Sequence, residues 1–179
     1  MDDHANLGPH GEPHAGPNDK ELSRRDFAES DAPVICTFAR TPRELFLFIP
    51  PATFPLTPDQ LLASAMVREC STVILDQGEV AGYANLYDVH PGEYCFTGNV
   101  IVDPLRRGKG LGSYLLACME ERARTLYRVK EHRISCVAFN TSALLWYSRL
   151  GYRPYGVEER TDYEGNAAAL IHMARPAAA

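Results

Sequence analysis

The stretch "VDPLRRGKGLGSYLLACMEERA", residues 102–123, decides how the rest of the chain is read. It opens on the end of a strand-like run and a proline. It then sets Arg106, Arg107, Gly108, Lys109, Gly110 and Gly112 immediately ahead of an apolar helix. A plain connector needs one glycine at most. Three glycines beside positive charge make a cradle for an anion, because the first N–H groups of a helix have no internal partner and its dipole is positive there. Downstream, Leu111, Leu115, Met119, Ala123 and Leu126 recur at steps of three and four, which predicts one buried helical stripe.

Two common phosphate motifs fail on this stretch. A Walker loop needs GxxxxGK followed by Ser or Thr, and Gly108-Lys109 is followed by Gly110. A dinucleotide fingerprint needs GxGxxG, and here Gly112 comes one place early with Ser113 behind it. No succession of βαβ units surrounds the loop either.

Outward from the loop, "EYCFTGNVIV" (93–102) reads as the strand that feeds it, and "STVILDQGEVAGYANLYDV" as a hairpin turning at Asp76-Gln77-Gly78-Glu79. "TPRE" and "TPDQ" predict two helix starts, with Thr41 and Thr57 as N-caps, prolines at the first helical position, and Glu44 and Gln60 closing capping boxes. "VICTFA" (34–39) is expected to be the first strand. "RISCVAF" (133–139) is the next strand after the long helix, "NTSALLWYSRLG" a short helix stopped by Gly151, and "YRPYGV" and "AAALIHMA" two closing strands. The order β-α-α-β-β-β-α-β-α-β-β predicts an α/β (α+β) domain with a mixed sheet of about seven strands and helices on both faces.

Length and composition bound the function. At 179 residues, 45% hydrophobic and 23% charged, the chain suits one globular domain over residues 33–176, with 177–179 a tail. Residues 1–32 carry the whole net charge of −5 and leave the remainder neutral. This acidic Gly/Pro/His leader has no hydrophobic period and is expected to be disordered. A neutral domain offers no basic surface for nucleic acid, and no apolar run is long enough to enter a membrane. Cys36, Cys70, Cys95, Cys118 and Cys136 never stand as CxxC, so free thiols in a reducing cytoplasm are expected, without disulfide or metal. His4, His10 and His14 are irregularly spaced on the leader and read as a solvated tail.

What does fit the loop is [R/Q]-x-x-G-x-[G/A], filled by Arg107-Gly108-Lys109-Gly110-Leu111-Gly112. It resembles the pyrophosphate loop of the GNAT superfamily of N-acetyltransferases. "NTSALLWYSRLGY" is similar to that family's N-x-x-A-x-x-[L/W]-Y-x-x-x-G-[F/Y] pattern, with Asn140, Ala143, Tyr147, Gly151 and Tyr152 in place. The resemblance covers residues 93–155 well, follows 34–92 only in element order, and does not reach 1–32.

The resemblance implies a mostly antiparallel sheet that splays at the cofactor site, and acetyl-CoA as co-substrate. The amides from Arg107 through Gly112 to Ser113 would take the pyrophosphate, Gly110 and Gly112 letting it approach, with Arg106 and Lys109 adding diffuse attraction. Val100, Ile101 and Val102 would pair with the pantetheine arm, a backbone N–H near Val102 would meet the oxyanion, and Asn140 would bond the arm or cap its helix. Tyr147 would be the general acid. Family members often carry a glutamate on the central strand or the next one as base. Here those stretches offer only Asn99 and Ser135, while Asp88, His90 and Glu93 lie at the loop entering the strand. With no cysteine in either motif, direct attack by the amine is expected rather than a covalent acetyl-enzyme.

For the acceptor, a small-molecule primary amine leads, with a protein or peptide N-terminus as the alternative. Phe46, Phe48 and Phe54 are candidates for its wall, and Glu158, Glu159, Asp162 and Glu164 for attracting a cation. A non-catalytic acyl-CoA sensor is the rival from another class. Pairing through sheet edges, common in the family, would make a homodimer.

Overall fold

A computed structural model describes residues 22–177. The expectations for residues 1–21, including His4, His10 and His14, and for the end of the tail lie outside that range.

One seven-stranded sheet organises the chain, in the order β1-β2-β3-β4-β5-β7-β6. The strands are β1 (Leu22–Asp26), β2 (Glu69–Asp76), β3 (Glu79–His90), β4 (Tyr94–Val102), β5 (Glu131–Val137), β6 (Arg153–Thr161) and β7 (Ala167–Pro176). Every neighbouring pair is antiparallel except β4 with β5. The helices are α1 (Ala32–Cys36), α2 (Pro42–Phe48), α3 (Pro58–Met66), α4 (Leu111–Tyr127) and α5 (Thr141–Arg149).

Strand alternation sends the two faces to different helix sets. Val73 and Tyr83 pack with Ile35, Leu45, Phe48 and Leu61 of α1–α3. The next residue along β2, Ile74, packs with Leu111, Leu115 and Met119 of α4 on the opposite face. Further along that face, Tyr147 of α5 joins Leu116, Ile134, Cys136, Tyr152 and Met173. The stripe on α4 is as expected up to Ala123, but Leu126 is exposed because the helix ends one residue later and turns at Arg128 (φ 54°). The β2–β3 hairpin turns at Gln77 and Gly78, both at positive φ, with Asp76 opposite Glu79.

Two expectations fail at the N-terminal side. The segment 34–39 is not a strand: residues 34–36 complete the short helix α1, with Pro33 in its first turn, and 37–39 turn out of it, while Ala32, Ile35, Phe38 and Ala39 are all buried. The first strand is β1, inside the segment 1–32 expected to be disordered, so the ordered unit begins by residue 22 rather than 33. Its sequence, LSRRD, has no apolar run; it is held as an edge strand through its register with β2 and through ion pairs. Arg24 reaches Glu121, Asp26 takes Arg122, and Arg25 grips buried Asp31 with two hydrogen bonds of 2.6 and 2.8 Å.

Both N-caps form, with Thr41 accepting from the Glu44 N–H and Thr57 from that of Gln60. Their reciprocal halves differ from a capping box. Glu44 accepts from the Arg40 N–H, and the Gln60 amide ties down Thr53 and Pro55 in the preceding loop.

Candidate functional site

The parallel pair β4–β5 is in register only from Tyr94↔Glu131 to Thr97↔Ile134. Beyond that point β4 continues to Val102 paired with β3 alone, and β5 continues to Val137 paired with β7 alone. The sheet is therefore split from Gly98 and Ser135 onward, and each strand leaves an unpaired edge in the split. Asn99 sits at the start of the opening with φ 51° and breaks the β3–β4 register, a bulge that re-aims the strand. Its amide donates to Ser64 of α3 at 2.9 Å, fixing the bulge to the helical layer. The expected arm-binding residues Val100, Ile101 and Val102 all lie on this free edge.

The edge leads into the glycine loop. Asp103 caps a short 3-10 turn over Pro104–Arg106, and α4 starts at Leu111. Gly108 (φ 77°) and Gly110 (φ 84°) adopt a left-handed backbone that L side chains rarely take, and at either one nothing lies within 4 Å of the place a Cβ would occupy. Among the described residues, none accepts from the main-chain N–H groups of residues 108–113. A row of orphaned amides at the head of a 17-residue helix has the geometry that suits an anion.

Gly112 has a different reason from its neighbours. A Cβ there would meet the Trp146 indole at 3.3 Å, so the residue is small for packing. Trp146 Nε1 also donates to Ser113 Oγ at 3.3 Å. α5 thus clamps the first turn of α4 through Trp146, and the next residue, Tyr147, packs behind the split in the sheet. Trp146 fills the [L/W] position of the pattern in α5, but its contacts with Gly112 and Ser113 across the two helices are visible only in the fold.

The cations divide. Arg106 turns away from the cradle, bonded to Asp76 at 3.0 Å, to Glu79 and to Asp103, so it fastens the loop to the β2–β3 hairpin and offers no diffuse attraction. Arg107 donates to the Val102 carbonyl and to Glu44 of α2 at 3.2 Å, tying the loop to the opposite helical layer. Lys109 is exposed beside the cradle.

Tyr147 is 7% exposed and packs between Trp146, tilted against its ring, and Tyr152, which meets it edge to face. Burial, with Cys136 and Tyr87 nearby, holds its phenol well above the ordinary tyrosine range, so it is protonated and able to give a proton. Asn140 precedes α5 without a side-chain cap bond; its Oδ1 accepts from Ser142. Burial pushes the thiols of Cys95 and Cys136 up to about 12, which keeps both protonated.

The other candidates are sorted by the fold. Phe46 stacks on Phe139 and faces Tyr163, making a wall from α2 to the β6–β7 end of the sheet, whereas Phe48 is core against Tyr83 and Phe54 is exposed. Asp162 spends its carboxylate on the Glu164 and Asn166 N–H groups of the β6–β7 turn. Asp88 and His90 bond each other at the β3–β4 turn, where Glu93 also lies, on the closed end of β4 and several residues from the split.

The layout defines a class of protein: an open sheet parted between two parallel strands, with an amide cradle at its mouth, suits a CoA thioester. Comparison with known proteins agrees. The model of the acetyltransferase (GNAT) family matches residues 39–152. The chain belongs to the acetyltransferase (GNAT) family, whose acyl donor is acetyl-CoA.

A mycothiol acetyltransferase of Thermomonospora curvata is 41% identical over 78 residues, 44% of this chain, and the chain spans only 26% of that relative's length. Two solved structures share the fold. The spermidine N-acetyltransferase of Vibrio cholerae with CoA and spermine has a TM-score of 0.73 at 17% identity, covering 88% of this chain and 96% of that one. The ribosomal-protein-alanine N-acetyltransferase of Brucella melitensis has 0.70 at 23%, covering 86% and 99%. Among the described residues, no group of three or more His, Cys, Asp and Glu could hold a metal, and no helix is long and apolar enough to cross a membrane.

Proposed function

We propose that the protein transfers the acetyl group of acetyl-CoA directly to the primary amine of a small molecule. The observation that carries this reading is the split between β4 and β5, with an unpaired strand edge on one side, the orphaned amides of residues 108–113 at its mouth and protonated Tyr147 behind it. When bound, acetyl-CoA supplies an activated acyl carbon. The amides from Arg107 to Ser113 would hold its diphosphate, and Val100, Ile101, Val102 and Asn140 its amide-bearing arm. An N–H on the free edge near Val102 would face the carbonyl oxygen where negative charge develops. Tyr147 would release its Oη proton on the sulfur side.

Direct transfer is supported by the cysteines, since protonated, buried Cys95 and Cys136 make poor nucleophiles. Free thiols suit a reducing cytoplasm. The aromatic wall of Phe46, Phe139 and Tyr163 supports a compact acceptor. The test is release of free CoA thiol across a panel of primary amines and N-terminal peptides, with the wild type and Tyr147→Phe. An enzyme loses about 100-fold in kcat on that substitution while its affinity for acetyl-CoA is kept. An equal rate in the variant removes Tyr147 as acid, and no thiol release with any acceptor leaves an acyl-CoA sensor.

A further inference from the structure

The site carries no carboxylate on β4 or on the split part of β5, yet an amine that arrives protonated must lose a proton before it can attack. We propose that His172 of β7 is the terminal proton acceptor, reached through Ser135, and this rests on the reading of the site as an amine acetyltransferase. Ser135 is the first residue of β5 beyond the last β4–β5 pair and stands directly opposite His172 in the β5–β7 register. Its Oγ lies 2.8 Å from His172 Nδ1. His172 Nε2 lies 3.3 Å from a Glu158 carboxylate oxygen of β6. On the other side, the Tyr87 hydroxyl donates to Ser135 Oγ at 3.3 Å. Tyr87 lies across Gly98 at the head of the split, where a Cβ would be 2.9 Å from the ring.

These bonds run in one direction. The Glu158 carboxylate lies at ion-pair distance from Nε2, which favours the imidazole with hydrogen on Nε2 and leaves the Nδ1 lone pair to accept from Ser135. Tyr87 occupies one Ser135 lone pair and leaves the other free to accept from a bound ammonium. An ammonium there gives a proton to Ser135 Oγ as the Ser135 hydrogen passes to Nδ1, and Glu158 offsets the imidazolium charge. The neutral nitrogen then bonds the acyl carbon as the carbon–sulfur bond breaks. Sulfur takes the Tyr147 proton, Tyr147 recovers the second proton shed by nitrogen, and His172 returns its own to solvent. One proton is released per amide formed.

The groups facing His172 are few. Tyr155 stacks on it and Glu158 pairs with it from β6, Glu158 being shared with Arg160. Phe96 of β4 meets its edge, Ser135 lies across it on β5, and Arg133 of β5 lies over the Tyr155 and Phe96 rings that contact it.

Two measurements test the proposal. The first needs no turnover: nitrogen NMR of the His172 ring in the intact protein with CoA added. The Nε2–H form is expected, and an Nδ1–H form overturns the proposal. The second is the pH profile of kcat/KM for the amine that turns over fastest in the thiol-release panel, in wild type and His172→Gln. The glutamine keeps a hydrogen bond to Ser135 but cannot hold a proton. A loss of about 100-fold at pH 7 is expected, shrinking about tenfold per pH unit upward as the amine deprotonates in solution. A loss of the same factor at every pH means a structural role and overturns the proposal. If that variant does not fold, Ser135→Ala carries the same expectation. If no amine turns over, the acetyltransferase reading falls by itself, and the NMR result still decides the proton arrangement.

Discussion

Gly110→Ala isolates the cradle, because Gly110 is both the residue before α4 and a left-handed one (φ 84°, ψ −4°). Nothing lies within 4 Å of an added Cβ, so the substitution brings no clash and only backbone strain. An L residue held in that region costs about 1–2 kcal/mol. If the loop keeps its shape, the cost appears in stability, about 2–8 °C in melting temperature for a domain of this size. If the loop relaxes in the free protein and must be restored around the diphosphate, the same 1–2 kcal/mol appears as about 5- to 30-fold weaker CoA binding. Calorimetric titration with CoA and thermal unfolding, run together, capture both. Gly78, also left-handed with open space around it but placed at the β2–β3 turn, is the matched control. Gly78→Ala is expected to lower stability alone. A Gly110→Ala protein unchanged in both assays, or a Gly78→Ala protein that binds CoA more weakly, refutes the reasoning.

Arg106→Ala is expected to destabilise by about 3 kcal/mol in chemical denaturation, since it strands buried Asp76, while leaving CoA affinity near wild type. An affinity loss without a stability loss would return Arg106 to the cradle. The network of Glu120, His132, Tyr152 and Arg175, at the closed end of the β4–β5 pair, gives a pH dependence. Burial alone would raise the Glu120 pKa, but hydrogen bonds from His132, Tyr152 and Arg175 outweigh it and hold the carboxyl at about 2. A folded pKa below the unfolded one contributes stability above about pH 4.5, and that contribution is lost as pH falls toward 2. Thermal unfolding from pH 6 to pH 2 should therefore steepen below pH 4.5 in wild type and flatten in Glu120→Gln. Parallel curves would remove Glu120 as the cause.

The parts legible in the sequence were those with local causes. The glycine loop, the helix behind it, both threonine caps and the Gln77-Gly78 turn each carry their signal within a few residues. β1 is strand only because β2 offers an edge and Arg24, Arg25 and Asp26 find partners elsewhere in the fold, so LSRRD reads as polar tail. The segment 34–39 has β-branched residues that suggest a strand, and Pro33 with the spacing of Ile35 and Phe38 was the overriding signal. Arg106 and Arg107 are neighbours with identical side chains, and only the hairpin on one side and α2 on the other separate their roles. His172 sits in the apolar run "AAALIHMA", which gives a strand and no more. Its relation to Ser135 is a matter of register between strands 37 residues apart. A lone histidine in an apolar strand, in a chain missing its expected carboxylate, was the available clue.

In the proposed function, main-chain hydrogens at the head of α4 and the free edge of β4 hold the donor. Amide chemical shifts recorded while CoA is added test it most directly. The largest changes are predicted at residues 108–113 and 99–102, saturating together at one affinity. Saturable binding that leaves those amides in place, with its shifts elsewhere in the chain, would contradict the account.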